Sequence, residues 1–200
     1  MATLFLINGY NTKRTATDVA FKPLRDGLEV LGYRVVPVDI SWRFTTVSQF
    51  CQQFRQLYKE QKSDTNIVVG NSFGAMVALI TANELRPDLV LLASLSPYFQ
   101  EDIATEAAYI RGMRFGKKRL ADLRQYSAQV LVRQAKSAGV KIIFTYGELE
   151  KSKVPYLVER VKKSAKDFNV EPIEVVSAPH SIKDPVYTEA LIKILSDIDF

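Results

Sequence analysis

The chain has 200 residues, of which 47% are hydrophobic and 24% charged, the composition of an ordinary globular chain and not of a disordered or fibrous one. Its 27 lysines and arginines against 22 aspartates and glutamates leave a formal charge of +5, too moderate an excess to point to nucleic acid by itself. Cys51 is the only cysteine, which excludes an intramolecular disulfide and a cysteine-based zinc cluster.

No apolar run reaches the roughly 18 residues that a membrane span needs. The first ten residues, MATLFLINGY, lack the charged stretch that opens a signal peptide. The expectation is a cytoplasmic protein without a membrane span.

Taken in order, the apolar runs predict a strand at Thr3–Ile7 and a helix over 17–31. That helix sets Val19, Pro23, Leu24, Leu28 and Leu31 near one face and stops at Gly32. A strand at Arg34–Val38 follows, then a helix over 47–62 with Phe50, Phe54, Leu57 and Tyr58 at helical spacing and Cys51 packed inside. Further strands are predicted at 66–69, Leu89–Ala93, 140–146 and 173–177. A final helix starts where Asp184 can cap and Pro185 can take the first position. Near-continuous Val, Ile, Leu and Phe in the strands suits a parallel sheet covered on both faces. Strands alternating with helices imply right-handed crossovers and a doubly wound α/β sheet, in one domain over 1–200 without repeats or linkers.

One segment breaks the alternation. Residues 96–116 are too long for a simple loop, and a small helical excursion over the carboxyl edge of the sheet is expected there, where ligands bind in such folds. The basic run RGMRFGKKRLADLR at 111–124 overlaps it; such a run is ordinarily a solvated face, although it could also attract an anionic ligand.

Chemistry concentrates in three loops at that edge. The stretch NIVVGNSFGAMVALI places Gly70, Ser72 and Gly74 as G-x-S-x-G between a predicted strand and a predicted helix. A sharp turn there strains the serine, exposes its hydroxyl and leaves no room for side chains on the flanking glycines. The helix that follows offers backbone N–H groups to a developing oxyanion. Serines and glycines are also common turn residues, so the position between strand and helix carries the reading. A serine needs a base to take its proton, and the only histidine, His180, lies in VVSAPHSIKDP just past the last strand. A carboxylate to orient the imidazole is offered by Glu148 and Glu150 in FTYGELEKSKVP, after the fifth strand.

This constellation resembles the α/β-hydrolase superfamily over nearly the whole chain: a Ser, acid, His order, with the acid after the penultimate strand and the histidine after the last. The resemblance implies a three-layer α/β/α sandwich with a mainly parallel six-stranded sheet in order 2-1-3-4-5-6. It also implies a minimal form without the two customary amino-terminal strands, in which 96–116 is the only lid-like insertion. In many members the acid loop reads G-x-x-D shortly before Val-Pro; here Gly147 to Glu150 precedes Val154-Pro155, which favours Glu150 over Glu148. Glu101 or Asp102 is a further acid position, used by some members after the preceding strand. The family's oxyanion hole falls on the backbone N–H groups of Phe73 and Tyr10, with Asn8 where a histidine is usual. Phe99, Tyr109, Met113 and Phe115 could line an acyl pocket or simply pack the insertion down.

The expected function is therefore a serine hydrolase acting on small carboxylic esters through Ser72, His180 and Glu150, with no metal or organic cofactor and no nucleic-acid partner. An acyl thioesterase and a non-catalytic binding protein on the same scaffold are the alternatives.

Overall fold

The structure, a computed structural model, describes residues 1–9, 21–39, 45–105 and 116–198. Within them the apolar runs form strands β1 (Thr3–Ile7), β2 (Arg34–Val38), β3 (Asn66–Asn71), β4 (Leu89–Ala93), β5 (Lys141–Gly147) and β6 (Ile173–Val175). The strands join in one sheet in the order β2-β1-β3-β4-β5-β6, and every neighbouring pair is parallel. β1, β3 and β4 are buried at every residue. The edges are less covered: four of the five residues of β2 are half-buried, and its position allows Pro37, which has no N–H to donate.

The helices are α1 (Lys22–Val30), α2 (Val47–Gln61), α3 (Phe73–Leu85), α4 (Gln100–Thr105), α5 (Lys117–Leu123), α6 (Ala128–Ser137), α7 (Glu150–Lys153), α8 (Pro155–Phe168) and α9 (Pro185–Ser196). Because side chains alternate across a strand, the inner strands feed two cores. Phe5, Ile7, Val68 and Val90 pack against α2, α3, α6 and α8, while Leu4, Leu6, Ile67 and Val69 pack against α1 and α9. The result is three layers. α3 is buried throughout Phe73 to Ala82, which explains why its sequence is apolar all round and carries no stripe.

Several boundaries differ from the sequence expectation. β3 runs two residues further, through Gly70 and Asn71, which pair with Leu92 and Ala93; both are poor strand formers, so local preference hid them. β6 stops two residues earlier because Ser177 turns to φ 60°. In α1, Leu24 and Leu28 are buried, whereas Pro23 and Leu31 are exposed; Val19 lies outside the described residues. Gly32 takes the left-handed conformation, φ 86°, as the stop required. Thr46 and Gln49 form a reciprocal capping box at the start of α2, and the Asp184 carboxylate accepts the Val186 N–H at 3.0 Å at the start of α9. Cys51 is wholly buried, and burial pushes its thiol up to about 12, so it is an inert packing group.

The excursion at 96–116 is described only at its ends; Tyr109, Met113, Phe115 and the run 111–115 lie outside. Phe99 is fully buried in the core and so does not line an open pocket. Both ends are tied down. Asp102 on α4 forms a buried ion pair with Arg160 on α8 and accepts the Phe99 N–H at 3.1 Å. The Glu101 carboxylate accepts the Ser127 hydroxyl at 2.6 Å and the N–H groups of Ala128 and Gln129 at 3.2 Å, capping α6. On the far side Asp122 accepts the Ser48 N–H at 3.0 Å and Arg119 reaches the Thr45 carbonyl at 2.9 Å. Among the described residues, no helix is long and apolar enough to cross a membrane.

Candidate active site

β3 and α3 meet at Ser72, whose backbone sits at φ 55°, ψ −115°. A non-glycine residue in that region costs on the order of 1–3 kcal/mol and persists only where its surroundings hold it. They do so here. A Cβ on Gly70 would lie 2.5 Å from the Gly74 carbonyl oxygen, and one on Gly74 would lie 2.3 Å from that of Ile7 and 2.6 Å from that of Asn8. The backbones of β1 and α3 thus touch across the turn, and only glycine fits. The Ser72 N–H donates to the Ala93 carbonyl at 2.9 Å, which ties the turn to β4.

The Ser72 hydroxyl lies 3.2 Å from His180 Nε2. The other ring nitrogen, Nδ1, is bonded to Glu150 Oε1. Glu150 is 1% exposed, and its second oxygen accepts the Gly147 N–H at 3.0 Å. The imidazole side chain is 44% exposed, open to a reactant on one side and anchored to a buried carboxylate on the other. The structure thus brings Ser72, His180 and Glu150 into one chain of contacts from three loops.

The other proposed acids are placed elsewhere. Glu148 points to the start of the histidine loop, where its carboxylate accepts the Ser177 N–H at 2.8 Å. Two backbone bonds run beside it, Glu148 N–H to Val175 O at 2.9 Å and Leu149 N–H to Ala178 O at 3.0 Å. Glu148 therefore braces the loop that carries His180, and Glu150, two residues on at the start of α7, turns inward to the ring. Glu101 and Asp102 are engaged with α6 and Arg160 as described. Phe73 is the first residue of α3; its ring is buried against Tyr98 at 5.0 Å between centroids. Asn8 is 4% exposed, and a Cβ on Gly9 would stand 3.2 Å from that of Ser72. Tyr10 lies outside the described residues.

Two residues of the site take roles that the sequence did not reveal. A Cβ on Gly147 would lie 2.4 Å from the carbonyl oxygens of both Ala178 and Pro179, so this glycine lets the acid and histidine loops cross. Ser96 places its hydroxyl 3.0 Å from that of Ser72 and is 2% exposed. The available clue was topological: β4 neighbours β3, so the loop after β4 must pass beside the Ser72 turn. Beneath the site, the buried Tyr187 hydroxyl on α9 contacts Ser94 at 3.2 Å and Thr145 at 3.0 Å, linking α9 to the ends of β4 and β5. Burial pushes the Tyr187 hydroxyl far up, so it stays protonated. Among the described residues, no group of three or more His, Cys, Asp or Glu side chains could hold a metal ion.

No protein-family model matches the chain, and no curated protein matches it. Solved structures do. Est1E from Butyrivibrio proteoclasticus superposes with a TM-score of 0.71 at 13% identity, covering 97% of this chain and 86% of that one. Alpha/beta hydrolase domain-containing protein 10 from mouse gives 0.68 at 12% identity, over 98% of this chain and 88% of that one. An esterase of Pyrococcus furiosus gives 0.66 at 20% identity, over 98% and 80%. Together with the parallel sheet and the strained serine turn on β3, these likenesses establish that the chain has the α/β-hydrolase fold.

Proposed function

We propose that the protein is a serine hydrolase that cleaves carboxylic esters of small acyl groups by way of an acyl-enzyme. The observation that carries the reading is the contact chain Ser72–His180–Glu150, with the nucleophile held at φ 55° and the acid buried. A hydroxyl is a poor nucleophile until a base accepts its proton, and an imidazole is a competent base when a carboxylate fixes its tautomer and compensates its positive charge.

In the forward step a Ser72 Oγ lone pair forms the bond to the acyl carbon, the hydroxyl proton passes to His180 Nε2 and the carbonyl π pair moves onto oxygen. Glu150 offsets the charge on the imidazolium. The Phe73 N–H, at the amino end of α3, holds the oxyanion, with Tyr10 as the second donor of this reading. The oxyanion pair then re-forms the carbonyl as the ester C–O bond breaks, the leaving oxygen takes the proton from Nε2, and water repeats the sequence on the acyl-enzyme to free the acid.

The test is turnover of p-nitrophenyl esters of increasing acyl length beside a matched acyl thioester, for the wild type and for His180→Ala. Ester turnover that falls by about 10³-fold or more without His180 supports the reading. Turnover of the thioester alone would move the assignment to a thioesterase. Turnover of neither by folded protein would contradict the hydrolase reading and favour a binding role on the same scaffold.

A further inference from the structure

We propose that Ser96 is a catalytic residue whose hydroxyl donates a hydrogen bond to Ser72 Oγ and stabilises the charge that collects there as the proton leaves. The inference rests on the reading of Ser72 as the nucleophile and adds a fourth side chain to that site.

The direction of the bond follows from proton accounting. A carboxylate only accepts, so the Glu150 contact requires the proton of the neutral imidazole on Nδ1. Nε2 is then a bare acceptor, and the single Ser72 proton is directed to it across 3.2 Å. While that proton points to Nε2, Ser72 Oγ can only accept at its 3.0 Å contact with Ser96, and Ser96 donates.

The donor is held in place. Ser96 is 2% exposed, so bulk water does not compete for its hydroxyl, and its own N–H reaches the Ser72 carbonyl at 3.4 Å. The chain arrives there through Ser94, which turns at φ 54° directly after β4. Backbone and side chain of Ser96 thus both face the Ser72 turn, from the strand next to the one that carries the nucleophile.

A hydroxyl oxygen has two lone pairs. Ser96 engages one and leaves the other for the acyl carbon. As the Ser72 proton moves to Nε2, negative charge gathers on Oγ before the C–O bond is complete, and a hydrogen bond to a charged oxygen is roughly twice as strong as one to a neutral oxygen. Deacylation reverses the flow: the C–O electron pair returns to Oγ, His180 returns a proton, and the same donor meets the same charge. Ser96 therefore assists both half-reactions and leaves initial substrate binding alone.

Ser96→Ala keeps the backbone bond and removes only the hydroxyl; Ser96→Thr keeps both. The measurements are the second-order rate of Ser72 labelling by a fluorophosphonate, kcat and KM on the best ester, and Tm. The proposal expects labelling and kcat to fall about 10- to 100-fold in Ser96→Ala, with KM and Tm unchanged and most of the loss restored by Ser96→Thr. Wild-type rates in Ser96→Ala would overturn it, as would equal losses in both variants accompanied by a lower Tm, the signature of packing alone. Should Ser96→Ala not fold, Ser96→Cys supplies a weak donor of similar shape: slow labelling supports the proposal and wild-type labelling overturns it. If the wild type itself does not label at Ser72, the hydrolase reading fails and takes this inference with it. If the wild type labels and Ser96→Ala matches it, only this inference falls.

Discussion

Ser72 and His180, the proposed nucleophile and base, are held by different balances of steric and polar contact. Ser72 stands at the centre of the sheet, where β1, β3 and α3 approach so closely that no Cβ fits at Gly70 or Gly74. His180 stands in the loop after β6, the edge strand, and that loop is stitched to the loop of Glu148 and Glu150 by hydrogen bonds at Glu148, Leu149 and Glu150. Steric closure dominates at the first, whereas at the second polar pairing reinforces the tight backbone crossing at Gly147. A turn that must keep its strained backbone benefits from rigid neighbours, whereas a side chain that must take up and release a proton needs partners that answer its charge.

The comparison predicts which kind of change each region resists. The largest effect is expected for Glu150→Gln, which keeps the shape but leaves the imidazole tautomer and charge unsupported. Its kcat should fall about 10³- to 10⁴-fold with little change in Tm, while Glu148→Gln, which only loosens the loop brace, should lose less than about tenfold. Steady-state kinetics on the two variants decide the matter, and a collapse in Glu148→Gln with normal turnover in Glu150→Gln would reverse their roles. At the elbow the order of damage inverts. Gly74→Ala drives a methyl group into two backbone oxygens, so urea unfolding should show a loss of about 3 kcal/mol together with lost activity. An active, stable Gly74→Ala protein would refute steric closure.

Much of this was legible in the sequence. The bounds of β1, β2 and β4, the strand order, and the loops bearing Ser72, His180 and the acid follow from apolar runs, turn residues and the resemblance they carry. The choice between Glu148 and Glu150 was not settled locally. The residues are two apart in one loop, and only the inward turn at the start of α7 separates them. Ser96 was silent because a serine in a loop has no pattern; its meaning arises from parallel pairing of β3 with β4. Gly147 was read for its place before the acid, not for the crossing of two backbones that it permits. Of the residues that could line an acyl pocket or pack the 96–116 excursion down, Tyr109, Met113 and Phe115 lie outside the described residues, and Phe99 packs in the core.

The smallest predicted effect concerns the polar bracing of that excursion. Burial pushes the Glu101 carboxyl up, but bonds from Ser127 and from backbone N–H groups at Ala128 and Gln129 outweigh it and hold the group below the ordinary glutamate range. A carboxyl with a lowered folded pKa stabilises the fold fully above its unfolded value, and that contribution is lost as pH falls through the folded one. Glu101→Gln should therefore lower stability by about 0.5 kcal/mol at neutral pH, and the gap from wild type should close in acid. Tm measured for both proteins from pH 7 down to pH 3 checks this; a gap that widens in acid would contradict it.

The most direct measurement is covalent labelling of the wild-type protein by a fluorophosphonate, with the modified residue mapped by mass spectrometry and Ser72→Ala and His180→Ala as controls. The account predicts one adduct, on Ser72, absent in Ser72→Ala and slowed by orders of magnitude in His180→Ala. A folded protein that takes no adduct, or one whose labelling is indifferent to His180, would contradict the claim that this elbow carries an activated nucleophile.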